Sequence, residues 1–160
     1  MKKKAVIWTI SIIAVLVIGI FAFIPINVNS FQAVENFDGE IKIYKSTSCG
    51  CCDVYLNYFK NRGNSKVQDV NLQDIDGLKR QYGVPEAMKS CHTTIVGDYF
   101  AEGHIPLEAV EKLLQEKLDI RGIAMPGMPM GSPGMVGAKT EKFVIYAINN
   151  DGTSKEFMRI

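Results

Sequence analysis

The sequence predicts an α/β domain over residues 40–160 behind an N-terminal apolar anchor, and three observations carry that reading. An apolar, β-rich segment, Ile41-Lys42-Ile43-Tyr44, leads through a cysteine-bearing turn into Val54, Tyr55, Tyr58 and Phe59 at helical spacing. Strand-like and helix-like segments then alternate in the order βαβα followed by ββα. An uncharged run from Ala5 to Ile26 precedes them all. With 160 residues, 47% of them hydrophobic, and a formal charge of +1, the chain has room for one domain and no basic surplus suited to nucleic acid.

At the N-terminus, residues 1–4, Met1-Lys2-Lys3-Lys4, form a short cationic head. The run over residues 5–26 matches the ~20 residues that span a bilayer and exceeds the roughly 7–15 of a signal-peptide core. It lacks a polar face, which argues against a buried core helix. The next residues, Asn27-Val28-Asn29-Ser30-Phe31, lack a small-residue cleavage pattern, so an uncleaved transmembrane anchor is expected ahead of a removed signal. Lysines on its N-terminal side place that end in the cytoplasm and everything after Ile26 outside it, in a periplasm or on the outer face of a plasma membrane. Residues 27–39, with Asn27, Asn29, Ser30, Gln32, Asn36 and Gly39, read as a polar linker.

Within the domain, the first strand covers Ile41 to Tyr44 and a helix runs from about Cys52 to Asn61. It stops at Arg62-Gly63-Asn64, where glycine suits a left-handed end position. Lys66 to Asn71 alternates as a second strand, and Asp74 caps a short helix over Ile75, Leu78 and Tyr82 that ends at Gly83-Val84-Pro85. Cys91-His92-Thr93-Thr94-Ile95-Val96 is a third strand, Gly97-Asp98 a two-residue turn, and Tyr99 to Glu102 the returning strand. Pro106 then opens a helix that buries Leu107, Val110, Leu113, Leu114 and Leu118. Lys142 to Ile148 and Thr153 to Met158 make a C-terminal β-hairpin. The order of elements predicts a thioredoxin-like domain, with a parallel strand pair covered by the crossover helix.

Three of the four cysteines fall in Cys49-Gly50-Cys51-Cys52, on the strand-to-helix turn; the fourth is Cys91. A helix N-terminus presents unpaired N–H groups that favour thiolate over thiol. Thiolate is both a nucleophile and a soft-metal ligand, so position alone leaves two chemistries open. Outside the cytoplasm an even number of cysteines usually means structural disulfides. Here three of them crowd one turn, which argues against simple stapling. In a thioredoxin-like fold the loop entering the third strand lies against the start of the first helix. Ser90-Cys91-His92 stands where thioredoxins carry a cis-proline, and so brings a fourth sulfur and an imidazole toward the other three. The Met-rich loop over residues 124–136 includes Met125, Met128, Met130 and Met135. It reads either as an apolar lid or as a set of soft thioether donors for Cu(I).

In these residues the chain resembles the CopG-like family of small metal-binding proteins associated with copper resistance. The resemblance runs from about Ile41 to Met135 through Tyr44-Lys45-Ser46 with Cys49-Gly50-Cys51-Cys52, Tyr82-Gly83-Val84-Pro85, Ser90-Cys91-His92-Thr93, Glu102-Gly103-His104-Ile105-Pro106, Pro126-Gly127-Met128-Pro129 and Gly131-Ser132-Pro133-Gly134-Met135. It implies a thioredoxin-like fold, copper binding outside the cytoplasm, and Cys49, Cys51, Cys52 and Cys91 as ligands. A long anchor replaces the family's cleavable signal. His92, His104, Met128 and Met135 are further candidate metal residues. The leading expectation is a Cu(I)-binding protein of copper handling or resistance. Its partners would be copper ions, the membrane, and copper-exporting or copper-oxidising proteins, and zinc ranks behind copper. The alternative is a membrane-anchored thiol–disulfide oxidoreductase working through Cys49 and Cys52. A topology reporter fused after Ile160 is expected to signal from outside the cytoplasm and the chain to fractionate with membranes; a soluble mature chain beginning near Val28 would reject the anchor.

Overall fold

The computed structural model describes residues 31–160. In it buried Ile41, Ile43 and Lys45 alternate with half-buried Lys42, Tyr44 and Ser46 along β1 (Ile41–Ser46), Tyr44 packing against a second, smaller core cluster. A tight turn leads to α-helix Gly50–Arg62, then β2 (Gln68–Leu72), a short helix Ile75–Gln81, a 3₁₀ turn Glu86–Met88, β3 (His92–Val96) and β4 (Tyr99–Glu102). Helix Leu107–Glu116, β5 (Gly122–Ala124), β6 (Val144–Ile148) and β7 (Ser154–Arg159) complete the chain. With a further turn of helix at Gln32–Glu35, the helices are called α1 (Gln32–Glu35), α2 (Gly50–Arg62), α3 (Ile75–Gln81) and α4 (Leu107–Glu116).

The fold is mixed α/β on one seven-stranded sheet, ordered β2-β1-β3-β4-β5-β6-β7. β1 and β2 pair in parallel, as the intervening helix requires, and β3 lies antiparallel on the other side of β1, with Ile41 opposite Val96 and Lys45 opposite His92. β4 returns antiparallel through Gly97, whose φ of +58° is open to glycine. The expected C-terminal hairpin is present as β6 and β7. What the sequence reading lacked is β5, three residues that pair with β4 on one side and β6 on the other. A segment that short carries no measurable alternation, and its role comes from two neighbours far away in sequence.

Several boundaries move. α2 begins at Gly50 rather than Cys52, so Cys51 and Cys52 sit in its first turn and Cys49 at its N-cap. Gly63 ends it with φ of −111°, not in the left-handed conformation expected. Glycine is required there for space, because a Cβ would stand 2.8 Å from Leu107 Cδ2 and 2.9 Å from the Phe59 carbonyl. Asp74 caps α3 as expected, accepting from the Gly77 N–H at 2.8 Å. Within the segment read as a linker, α1 buries Val34 completely. The Glu111 carboxylate on α4 accepts from the N–H groups of Ala33 and Val34 at 3.0 Å each, which satisfies two of that helix's free donors. The anchor expected over residues 5–26 and the start of the linker lie outside the described residues. Among the described residues, no helix is long and apolar enough to cross a membrane.

The main core lies between the sheet and the helices α2 and α4, around Ile43, Tyr55, Phe59, Val110, Leu113 and Ile145. Phe59 is fully buried whereas Val54, on the same helix, is 55% exposed. Phe59→Ala is expected to lower unfolding free energy by about 3–5 kcal/mol. Val54→Ala should stay within about 0.5 kcal/mol. Denaturant midpoints at fixed slope check both.

Candidate metal centre

The site forms where three elements end together. β1 delivers the chain into the turn at Ser46, where the Cys49 N–H bonds the Ser46 carbonyl at 3.2 Å, and α2 starts at once, with the Cys52 N–H on the Cys49 carbonyl at 3.2 Å. This spacing puts Cys49, Cys51 and Cys52 around one helix N-terminus. β3 enters beside β1, which sets Cys91 and His92 against that helix start. The four sulfurs lie within 4.8 Å of one another. Cys49 and Cys52 are joined as a disulfide, Cys51 and Cys91 are free, and Cys49 Sγ stands 3.5 Å from Cys51 Sγ.

A second donor set shares Cys91. Cys91 Sγ and one ring nitrogen each from His92 and His104 also lie within 4.8 Å of one another. His104 Nε2 is 3.1 Å from Cys91 Sγ, and His92 Nδ1 is 3.4 Å from it. His104 Nδ1 lies 2.6 Å from the Pro133 carbonyl. A carbonyl only accepts, so Nδ1 carries the proton and the Nε2 lone pair faces the sulfur. A ring N–H tied to a backbone carbonyl is the usual outer contact of a metal-binding histidine. The Tyr55 ring lies 4.3 Å from the His92 ring and 5.6 Å from that of His104, forming an apolar floor, and its hydroxyl donates to the Ile105 carbonyl at 2.9 Å.

Burial sets the protonation of these groups. Both histidines are wholly buried. Burial holds the His92 imidazole well below 6.5, helped by the neighbouring His104 and Lys79, and lowers His104 against the opposing pull of the Pro133 carbonyl. Burial first, and then Cys51, push the Cys91 thiol up to about 11. Without a cation the site is therefore neutral, holding a thiol and two neutral imidazoles. His92 Nε2 is buried with no hydrogen-bond partner, an unsatisfied polar atom beside the cluster. Soft sulfurs and imidazoles at this spacing suit Cu(I) or zinc and not the hard, oxygen-seeking ions.

The Met-rich loop closes over part of this site. Gly134, at φ +84°, lies so close to α2 that a Cβ there would come within 2.9 Å of the Cys51 carbonyl and of the Tyr55 nitrogen. Met135 is half-buried beside it, whereas Met128 is 41% exposed and Met125 is packed in the core. The structure thus brings together Cys49, Cys51, Cys52, Cys91, His92 and His104; Met128 faces solvent. Sequence reasoning missed Lys79 and Glu102, a fully buried ion pair behind Cys91, and Tyr55 as the floor against which both histidines pack. A lysine in a short, polar-looking helix and a lone glutamate closing a four-residue strand give no periodic signal. The only hint is Glu102 at the end of an otherwise apolar strand.

The chain is similar in sequence and in fold to known proteins. A family model described as a protein of unknown function, DUF411, matches residues 88–135, the part holding Cys91, His92, His104 and the Met-rich loop. Two solved structures titled copper resistance protein CopG, forms 1 and 2, are each 34% identical to this chain. They superpose with TM-scores of 0.69 and 0.70, covering 76% of this chain and 96% and 97% of theirs. No curated protein matches the sequence.

Because both histidines are depressed, the unfolded chain takes up protons first as pH falls past 6.5, so their contribution to stability is full above that value and is lost below it. The metal-free protein is expected to show a lower denaturation midpoint at about pH 5.5 than at about pH 7.5, with His92→Gln flattening that difference. Equal midpoints would mean that the imidazoles are not buried in their neutral form.

Proposed function

Since this chain belongs to the family of the copper resistance protein CopG, we propose that it binds Cu(I) outside the cytoplasm for copper handling or resistance. The observation that carries this reading is the convergence of four sulfurs with the Nε2 lone pair of His104, whose other nitrogen is already committed to the Pro133 carbonyl. When Cys49 and Cys52 are reduced, each sulfur becomes available as a thiolate. Cys91 belongs to both donor sets, so it can bridge two Cu(I) ions, and Cys51 completes the first set. Copper binding displaces the protons of the thiols, which offsets the burial that keeps Cys91 protonated in the free protein. Cys49, Cys51, Cys52, Cys91, His92 and His104 form the proposed site, and Met135, and Met128 at the surface, are proposed to pass copper through the loop.

The parallel β1–β2 pair with its α2 crossover, followed by the β3–β4 hairpin and α4, supports a thioredoxin-like core for the domain of residues 40–160. Residues 5–26 are proposed as its membrane anchor and residues 1–4 as its cytoplasmic end. Copper-exporting or copper-oxidising proteins are the proposed partners. Zinc is a second metal that the donor set would accept.

The Cys49–Cys52 disulfide favours one other reading, a thiol–disulfide oxidoreductase. Reduction takes up two electrons and two protons and yields two thiols, the ordinary half-reaction of a Cys-x-x-Cys pair. Cys51 separates the two roles, since disulfide exchange does not use it. Cys51→Ala is expected to lower Cu(I) affinity, measured against a competing chelator, by at least about 10–100-fold, the cost known even for outer contacts of a metal. Cys91→Ser should lower copper stoichiometry or affinity with the Cys49–Cys52 pair intact. Unchanged copper binding in both, together with strong insulin disulfide reduction, would favour the oxidoreductase.

A further inference from the structure

The buried ion pair behind Cys91 has no role in the proposed copper chemistry, yet its geometry converges on one peptide. Glu102 closes β4 with its side chain wholly buried, and Lys79 reaches it from α3 with 1% of its side chain exposed. Glu102 Oε1 accepts from Lys79 Nζ and from the Ser90 N–H at 2.6 Å; Glu102 Oε2 accepts from Thr93 Oγ1 at 2.6 Å. Lys79 Nζ also donates to the Ser90 carbonyl. Both backbone groups of Ser90 are thus held by opposite ends of one ion pair. The Ser90 carbonyl belongs to the peptide that joins Ser90 to Cys91, and that peptide is planar, so holding its oxygen orients the start of Cys91.

The far side of the segment is held as well. Two residues beyond Glu102 stands His104, and the Gly103 N–H between them donates to the His92 carbonyl at 3.0 Å. Gly103 has φ of +87°, and a Cβ there would come within 2.8 Å of the Met125 carbonyl and 2.9 Å of the Ser90 side chain. The two donor-bearing segments, Ser90-Cys91-His92 and Glu102-Gly103-His104, are therefore tied face to face, with Cys91 Sγ and His104 Nε2 at 3.1 Å as the outcome.

Stability alone does not call for charge here. Desolvating a lysine and a carboxylate costs several kcal/mol per ion, and apolar pairs of similar volume often serve as well or better. An apolar pair, however, cannot hold the N–H and C=O of one residue at once. We propose that Lys79 and Glu102 are positioning residues for the copper site, an outer clamp that sets the Cys91 sulfur against His104 and the cysteines of α2. The proposal rests on the Cu(I) reading of the site.

The test uses the full-length protein with two variants. Glu102→Gln keeps the shape and removes the charge, and the double variant Lys79→Met with Glu102→Leu removes the pair without leaving an unpaired buried ion. Cu(I) affinity of the reduced proteins, by chelator competition, is expected to fall by about 10–100-fold in both. The same changes made on a Cys91→Ser background should cost almost nothing further, because the clamp acts through Cys91. In the metal-free protein with Cys49 and Cys52 oxidised, the alkylation rate of each free thiol is followed by peptide mass spectrometry. Cys91 should react faster in the variants and Cys51 at its original rate. A double variant that melts like the wild type and keeps full copper affinity overturns the proposal. So does a parallel rise in Cys51 and Cys91 reactivity, which marks general loosening. If the wild type fails to bind Cu(I), the copper reading falls, and the alkylation pattern still decides whether Lys79 and Glu102 position Cys91.

Discussion

The antiparallel seating of β3 on β1, with Lys45 opposite His92, is the constraint on which the rest of the site depends. β1 ends in the cysteine turn, and β3 begins at the same edge of the sheet. A shift of one residue in that pairing would turn His92 to the other face of the sheet and move Cys91 off the helix start. The register is held by what the strands bury. Ile41 and Ile43 enter the main core together with Val96, while Ile95 faces the smaller cluster that contains Phe100 and Ile148. A site built from residues about forty positions apart is thereby located by ordinary sheet packing.

Burial then sets the chemistry of that site. Wholly buried imidazoles stay neutral and a half-buried thiol stays protonated, so in the metal-free state the protein avoids several like charges in a small volume. The arrangement suits a soft cation, whose charge replaces the protons and relieves the desolvation of the thiolates. The same crowding makes a disulfide between Cys49 and Cys52 accessible, so oxidation and the proposed metal binding would draw on the same sulfurs. On the proposed copper reading these would be competing states of one cluster, with the balance between them set by the surrounding redox poise.

Charge reappears one layer out. Lys45, only 5% exposed, bonds Asn71 and pairs with Asp69 and with Asp53 in the first turn of α2; Lys79 and Glu102 hold the opposite side. The neutral inner donors are thus framed by polar contacts that reach α2 from one direction and the Cys91 segment from the other. Asp53 also lies where a helix N-terminus favours a carboxylate. The loop over residues 132–135 adds a third support through the Pro133 carbonyl on His104.

Much of this was legible in the residues themselves. An apolar, β-rich run identified β1, alternation β2, and strand-like segments about turns β3, β4 and the C-terminal hairpin; Asp74 and Pro106 marked two helix starts; and three cysteines in four positions identified the reactive turn before any fold was known. Those features are local, and local sequence determines local conformation through side-chain period, capping and backbone freedom. Other features belong to no single stretch. β5 exists because β4 and β6 flank it; Gly63 is required by the approach of Leu107, not by its own φ; Val34 becomes core because α4 lies over it. The Lys79–Glu102 pair, the His104 contact to Pro133 and the sharing of Cys91 between two donor sets arise only when segments distant along the chain are packed together. Sequence by itself determined which atoms could bind a soft metal. Tertiary packing decided which of them meet, because burial, distance and hydrogen-bond partners are properties of the assembled core and have no counterpart in the linear order of residues.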